Sequence, residues 1–346
     1  MKVRFLNKDR ESKTITCNEG EKLLLAGLRS GISLPYECGT GTCGTCVARA
    51  KPGTIIPNDT ELIGNKNLKK ERGDFLLCQC VPSKDCDILV DSKSLIKDYD
   101  YPLPNYFQGK LQNIKLTAPD VVTADLKLDS KVKFIAGQFF LLKSSNVVGY
   151  RAYSMTNYDE NTDELKFVIK KTDQGKFTNH IFNNLEQKFN LEAFGPLGKA
   201  TFYPDEKKDL IFVAGGSGIA GLMSILEHGD QQEYFKRYNA DIFFGVQTVE
   251  DFFFTEELFL LKKKYPGKIN LYLATSNENT DKSLTKNSEQ KIDQGYIHTV
   301  LEKNMNVDCS DKIAFLGGPS IMVNSALPII IKSGVKAENI RFDRYG

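Results

Sequence analysis

The chain has 346 residues, 41% of them hydrophobic and 26% charged, which excludes a disordered, collagenous or coiled-coil protein and leaves room for about two or three domains with cores of their own. Its 46 Lys and Arg nearly balance 44 Asp and Glu, so it lacks the basic surplus of a general nucleic-acid binder, and the runs at Leu68–Arg72 and Lys262–Lys264 read as solvated helix faces. The longest uncharged stretch, Ile211 to Leu226, is broken by four glycines and falls short of the roughly 18 apolar residues of a membrane span, and the N-terminus has no apolar signal core. A cytoplasmic protein that meets neither membrane nor nucleic acid is expected.

Residues 1–95 read as a first domain of short strands around one helix. Val3–Leu6 and Thr14–Cys17 alternate like a hairpin, and Glu21–Arg29 carries Leu23, Leu24, Leu25 and Leu28 as an amphipathic helix. A Gly- and Cys-rich loop, Glu37–Cys46, precedes strands at Val47–Ala50, Phe75–Gln79 and Asp87–Val90. Residues 91–106 are polar, with Pro102 and Pro104, and read as a linker. Strand-like runs over 104–203 (Lys110–Leu116, Val121–Leu128, Gln138–Lys143, Leu165–Lys170, Leu191–Phe194) suggest an antiparallel barrel or sandwich. Over 207–346 strands and helices alternate. Strands fall at Leu210–Ala214, Asp241–Gly245, Asn270–Ala274, Lys312–Leu316 and Asn339–Phe342, and helices start near Ala220 and span Val249–Lys264 and Ser320–Lys332. That alternation predicts a doubly wound parallel sheet.

Seven of the eight cysteines lie before residue 87, crowded as in a metal site rather than a disulfide scaffold. Cys38, Cys43 and Cys46 with Cys78 give C-x4-C-x2-C…C, the plant-type [2Fe–2S] spacing. Gly39, Gly41 and Gly44 let the loop curl so that backbone N–H groups face the sulfurs. A structural zinc site usually pairs two C-x2-C knuckles, and only one is present. Cys78 and Cys80 are expected to point to opposite faces of a strand, so that only one reaches the cluster; Cys17, Cys86 and Cys309 read as buried small hydrophobes.

A second motif, Tyr150-Arg151-Ala152-Tyr153-Ser154, offers an aromatic to stack on a flavin, a cation for its phosphate and a hydroxyl for a ring nitrogen. The run Gly175–Thr178 places N–H groups at a helix start, suited to a pyrophosphate, and Gly195–Gly198 makes a tight turn. The third motif, Gly215-Gly216-Ser217-Gly218, follows a strand and opens a helix, as a dinucleotide loop does, but the next strand ends without the usual acid. Leu316-Gly317-Gly318-Pro319-Ser320 is a partner loop in the same sheet. His180, His228 and His298 show no metal spacing, and no Ser/His/Asp or paired-carboxylate set stands out.

The order of these motifs, carried by PYECGTGTCGTC, FLLCQC, RAYSMTN, FVAGGSGIAG, GYIH and IRFDRYG, resembles the reductase components of bacterial multicomponent oxygenases, within the ferredoxin–NADP reductase superfamily and nearest to toluene-type diiron monooxygenase reductases. The resemblance implies a multidomain α+β and α/β protein: a β-grasp [2Fe–2S] ferredoxin, an antiparallel β-barrel that binds FAD, and a doubly wound parallel-sheet NAD domain. It implies that Cys38, Cys43, Cys46 and Cys78 bind the cluster, that Arg151, Tyr153 and the catalytic Ser154 hold FAD with Gly175 and Thr178 on its phosphates, and that Gly215, Gly216, Gly218, Gly318 and Pro319 receive NADH. Electrons would run from NADH through FAD and the cluster to an oxygenase (hydroxylase) component, directly or through a Rieske ferredoxin, from a reductase that is monomeric outside that complex. Alternatives are a reductase of a ring-hydroxylating dioxygenase or of deoxysugar biosynthesis, or an iron–sulfur redox sensor without enzymatic activity. The family usually has Pro at Gly221 and Cys at Gly317.

Overall fold

The computed structural model describes residues 1–9, 11–57, 62–91, 102–277, 291–305 and 308–345; most of the expected linker, 92–101, lies outside the described residues. The first module runs β1 (Lys2–Leu6), β2 (Ser12–Thr16), α1 (Leu23–Arg29), β3 (Val47–Ala50), β4 (Ile55–Pro57), β5 (Asp74–Leu76), β6 (Cys80–Pro82) and β7 (Cys86–Leu89). Its main sheet has the order β2-β1-β7-β3-β5, with β1 and β7 parallel, and β4 pairs β6 separately. The leucines of α1 are buried with Val3, Phe5 and Ile88, so the sheet wraps the helix. The helix sits close because Gly27 lacks a side chain: a Cβ there would lie 2.4 Å from Leu34.

The expected strand Phe75–Gln79 is shorter. It ends at Leu76, and Leu77–Gln79 forms a single 3-10 turn before β6. This corrects the expectation for Cys78 and Cys80. Residues two apart on one strand share a face, so alternation could not have separated them. The turn separates them, by placing Cys78 off the strand and Cys80 at the start of the next one.

The second module comprises β8 (Asn105–Ala118), β9 (Val121–Val132), β10 (Phe139–Ser144), β11 (Arg151–Ser154), β12 (Thr162–Lys170), α2 (Lys176–Phe182) and β13 (Phe189–Leu197). The six strands are antiparallel in the order β11-β10-β13-β8-β9-β12, and a bridge between Met155 and Phe167 brings the two ends together into a barrel rather than a sandwich. Its interior holds Phe140, Phe167, Leu111, Leu126 and Leu142.

The third module runs β14 (Leu210–Gly215), α3 (Ile219–Gln231), β15 (Ala240–Val246), α4 (Thr255–Lys264), β16 (Ile269–Thr275), β17 (Ile292–Gln294), α5 (Ile297–Asn304), β18 (Ile313–Pro319), α6 (Ser320–Lys332) and β19 (Ile340–Tyr345). The sheet is parallel throughout, in the order β17-β16-β15-β14-β18-β19. Strand order reverses at β14, so a crevice opens at the carboxyl ends of β14 and β18, where ligands bind in sheets of this type. The expected helix Val249–Lys264 is interrupted. Thr248 and Asp251 close a capping box over a 3-10 turn, Phe252–Phe254 break away with Phe253 buried, and α4 starts only at Thr255. Among the described residues no helix is long and apolar enough to cross a membrane.

Candidate cofactor sites

The loop from Glu37 to Cys46 is shaped by Gly39, Gly41 and Gly44, all with φ between 66° and 92°, a region that side chains other than glycine avoid. The curl aims N–H groups of Thr40 and Cys43 at Cys38 Sγ, each at 3.4 Å, and that of Thr45 at Cys43 Sγ at 3.5 Å. The Leu77 N–H donates to the Cys46 carbonyl at 2.9 Å, which ties the turn bearing Cys78 to the same loop. The four thiols stand as two pairs, Cys38 with Cys43 and Cys46 with Cys78, each 3.2 Å between sulfurs. Among the described residues no three metal-ligating side chains converge on one point. Two pairs suit two irons, whereas a single zinc ion would draw all four sulfurs together. In each pair one sulfur is driven toward the thiolate, Cys38 by the hydrogen bond it shares with Cys43 and Cys78 by the one it shares with Cys46. Burial pushes the thiols of Cys17 and Cys80 up to about 12 and raises those of Cys86 and Cys309, so these remain neutral packing groups.

Strand β11 pairs with β10, placing Arg151 opposite Leu142 and Ser154 opposite Phe139. Arg151 is exposed and enters a cavity of about 740 Å³ between the first module and the barrel, whose walls include Gly39, Thr40 and Gln79. The cysteine loop and β11 therefore face one space. The Tyr153 ring is half-buried beside Phe177, 5.8 Å between centroids. The Ser154 hydroxyl faces the third module, 2.8 Å from Asp343 Oδ2. Gly175 precedes α2, as expected, and a Cβ there would strike the Thr172 hydroxyl at 2.0 Å. Thr178 spends its hydroxyl within this loop, donating to the Gly175 carbonyl at 3.1 Å and lying 3.3 Å from the Thr172 N–H.

At the third site the two glycine loops interlock. A Cβ on Gly218 would lie 2.2 Å from the Gly317 carbonyl, and one on Gly317 would lie 2.2 Å from the Gly218 oxygen. A Cys at 317, expected from the resemblance, would thus collide with the Gly218 main chain. Gly221, on the first turn of α3, stands opposite Ser154, with 3.4 Å available for a Cβ. A cleft of about 940 Å³ runs between the barrel and the segment after β15, with Thr156, Phe167 and Lys166 on one side and Glu250, Phe252 and Thr255 on the other.

Sequence reasoning gave no role to the end of the chain, although IRFDRYG carried part of the resemblance. Strand β19 lies against β18 from Ile340 to Tyr345 and brings three further side chains to these sites. Asp343 meets Ser154. Part of its surface opens to a cavity, yet the protein around it pushes its carboxyl up to about 6, against the pull of the Ser154 hydroxyl. The Tyr345 hydroxyl lies 2.9 Å from Ser217 Oγ and donates to the Gly215 carbonyl at 3.2 Å. Arg344 pairs with Glu37 of the cluster loop at 2.9 Å. The signal available was position: a charged and aromatic run closing the strand beside β18.

A sulfur-lined loop, a barrel with a flavin-type strand and a parallel sheet with paired glycine loops define an NAD(P)H-dependent flavin and iron–sulfur oxidoreductase. Residues 6–83 match the 2Fe-2S iron-sulfur cluster binding domain, 108–202 the oxidoreductase FAD-binding domain and 212–327 the oxidoreductase NAD-binding domain. The chain is 27% identical over 340 residues to the "Phenol hydroxylase P5 protein" of Acinetobacter pittii, covering 96% of this chain and 91% of that one. It is 32% identical over 213 residues to "Terephthalate 1,2-dioxygenase, reductase component 2" of a Comamonas species, covering 61% of each. Among solved structures, "Ferredoxin reductase in carbazole 1,9a-dioxygenase" superposes with a TM-score of 0.81 at 23% identity, over 100% of this chain and 99% of the other, and so shares the fold. The chain combines these three domains in one reductase that is similar, over nearly its full length, to components of multicomponent monooxygenases.

Proposed function

We propose that this chain is the reductase component of a multicomponent oxygenase, carrying electrons from NADH to a diiron monooxygenase, directly or through a Rieske ferredoxin. It would work in the cytoplasm, monomeric outside that complex, as three domains over 1–95, 104–203 and 207–346. The observation that carries the reading is the shared cavity: Gly39 of the cluster loop and Arg151 of the flavin strand line one space, and Leu141 of the barrel would lie 3.1 Å from a Cβ on Gly39. Full-length similarity to the phenol hydroxylase protein favours a monooxygenase partner. A dioxygenase partner is the second reading, favoured by the higher identity to the terephthalate dioxygenase reductase over a shorter span.

In this reading Cys38 and Cys43 hold one iron and Cys46 and Cys78 the other. Arg151 anchors a flavin phosphate with Gly175 and Thr178, Tyr153 flanks the ring, and Ser154 hydrogen-bonds it as the catalytic hydroxyl. A bound FAD would supply two-electron chemistry toward the nicotinamide and one-electron chemistry toward the cluster. The Ser154 and Asp343 pair can hold a proton between Oγ and Oδ2 at 2.8 Å. Gly215, Gly216, Gly218, Gly318 and Pro319 admit the dinucleotide backbone at the start of α3. The purified protein should contain FAD and two irons and oxidise NADH with cytochrome c as acceptor. Absence of flavin or of NADH oxidation would refute the reading.

A further inference from the structure

Three consecutive residues of β19 touch three different modules: Asp343 reaches the flavin strand, Arg344 the cluster loop and Tyr345 the nucleotide loop. The strand lies beyond all three matched family segments, the last of which ends at residue 327. Of these contacts, the one at Arg344 has no part in holding a cofactor. Its guanidinium meets Glu37 with both forks, Nε to Oε2 at 2.9 Å and Nη2 to Oε1 at 3.3 Å, and Glu37 directly precedes Cys38. A third donor, Nη1, reaches Asn324 Oδ1 on α6 at 3.3 Å, and the plane lies 5.3 Å from the Phe342 ring. Arg344 is 30% exposed and Glu37 28%, so salt screens the pair less than it would one on the open surface.

We infer that Arg344 is a positioning residue for electron transfer from flavin to cluster: through Glu37 it fixes the cluster loop on the strand that also meets Ser154. This rests on the reading of function given above. The first module has other attachments. The Tyr36 hydroxyl accepts from the Gly198 N–H at 3.0 Å, the Tyr106 hydroxyl donates to Glu21 at 3.1 Å, and Phe139, Leu141 and Phe194 continue its core into the barrel. These hold the module as a whole. Among the described residues, Arg344 is the one that grips the residue next to a ligand cysteine from the third module. Its removal should leave the module docked and loosen the loop. With both groups bound, a loosened loop would slow electron passage to the cluster without slowing reduction of the flavin by NADH.

The test uses the full-length protein with its flavin and cluster, as Arg344→Ala, Arg344→Lys and the exchanged pair Glu37→Arg with Arg344→Glu. NADH-driven ferricyanide reduction reports the flavin, cytochrome c reduction reports the cluster, and amide hydrogen exchange over 36–46 reports the loop. For Arg344→Ala we expect ferricyanide reduction within about 1.5-fold of the parent, cytochrome c reduction lower by about fivefold or more, and faster exchange over 36–46. Arg344→Lys, which keeps the charge but loses the fork, should fall between. The exchanged pair should restore cytochrome c reduction to within about twofold. Unchanged cytochrome c reduction and exchange in Arg344→Ala would overturn the inference, as would equal loss of both activities that the exchanged pair does not restore. A parent protein that lacks iron or fails to oxidise NADH would instead refute the reading of function.

Discussion

Replacing Gly317 by the family's usual Cys is expected to harm this protein. The two glycine loops meet backbone to backbone, and a Cβ on residue 317 falls 2.2 Å from the Gly218 oxygen and 3.1 Å from the Gly218 carbonyl carbon. Both neighbours are main chain, so relief requires one loop to withdraw by about 1 Å, a rearrangement of the kind that costs about 1–3 kcal/mol in packed proteins. The withdrawn loop is the one proposed above to receive the nucleotide. At about 2 kcal/mol, the third module should melt about 4–8 °C lower, and KM for NADH should rise by about fivefold or more. Gly317→Ala separates sterics from thiol chemistry, because Ala and Cys share the offending Cβ and should behave alike. Scanning calorimetry and steady-state ferricyanide kinetics give both quantities. A Gly317→Cys protein with unchanged melting and KM, or with faster turnover, would refute the steric argument.

NADH should be preferred over NADPH by about tenfold in kcat/KM, about 1.4 kcal/mol, because Glu250 and Asp251 follow β15 where a 2′-phosphate would sit, and Lys262–Lys264 lie at the far end of α4. Steady-state kinetics with both nucleotides decide this, and equal efficiency would assign the phosphate to Lys115 and Lys166 across the cleft. Cys78→Ser should lose iron while Cys80→Ser keeps it, measured by iron content and visible absorption; the reverse would place the 3-10 turn at 77–79 wrongly. His228, buried and stacked on Tyr158 at 3.8 Å, is pushed down to about 4 by burial. Between pH 4 and its ordinary value of about 6.5 the unfolded chain binds the extra proton, so stability should rise with pH through that window, by up to about 3 kcal/mol. In His228→Phe that rise should flatten in urea titrations between pH 4.5 and 7; an unaltered slope would show that His228 is not its source.

The spacing of Cys38, Cys43 and Cys46 and the glycine loops were legible in the sequence because each is local: three cysteines within nine positions, or a strand running into a helix. The break before α4 was not, since Phe252–Phe254 continue a helical pattern of apolar residues, and a capping box and a buried Phe253 decide the break. The positions of Cys78 and Cys80 depended on a single turn that strand periodicity does not reveal. Asp343, Arg344 and Tyr345 escaped for a different reason. Their partners, Ser154, Glu37 and Ser217, lie between 128 and 307 residues away, and only the pairing of β19 with β18 brings them together.

The most direct test is a Cys43→Ser protein mixed rapidly with NADH. Without a complete cluster the flavin should still bleach at the parent's rate and ferricyanide reduction should persist, while cytochrome c reduction falls by about 10-fold or more because its electrons pass through the cluster. Equal loss of both activities, or cytochrome c reduction that survives the loss of iron, would contradict a route from nicotinamide to flavin to cluster.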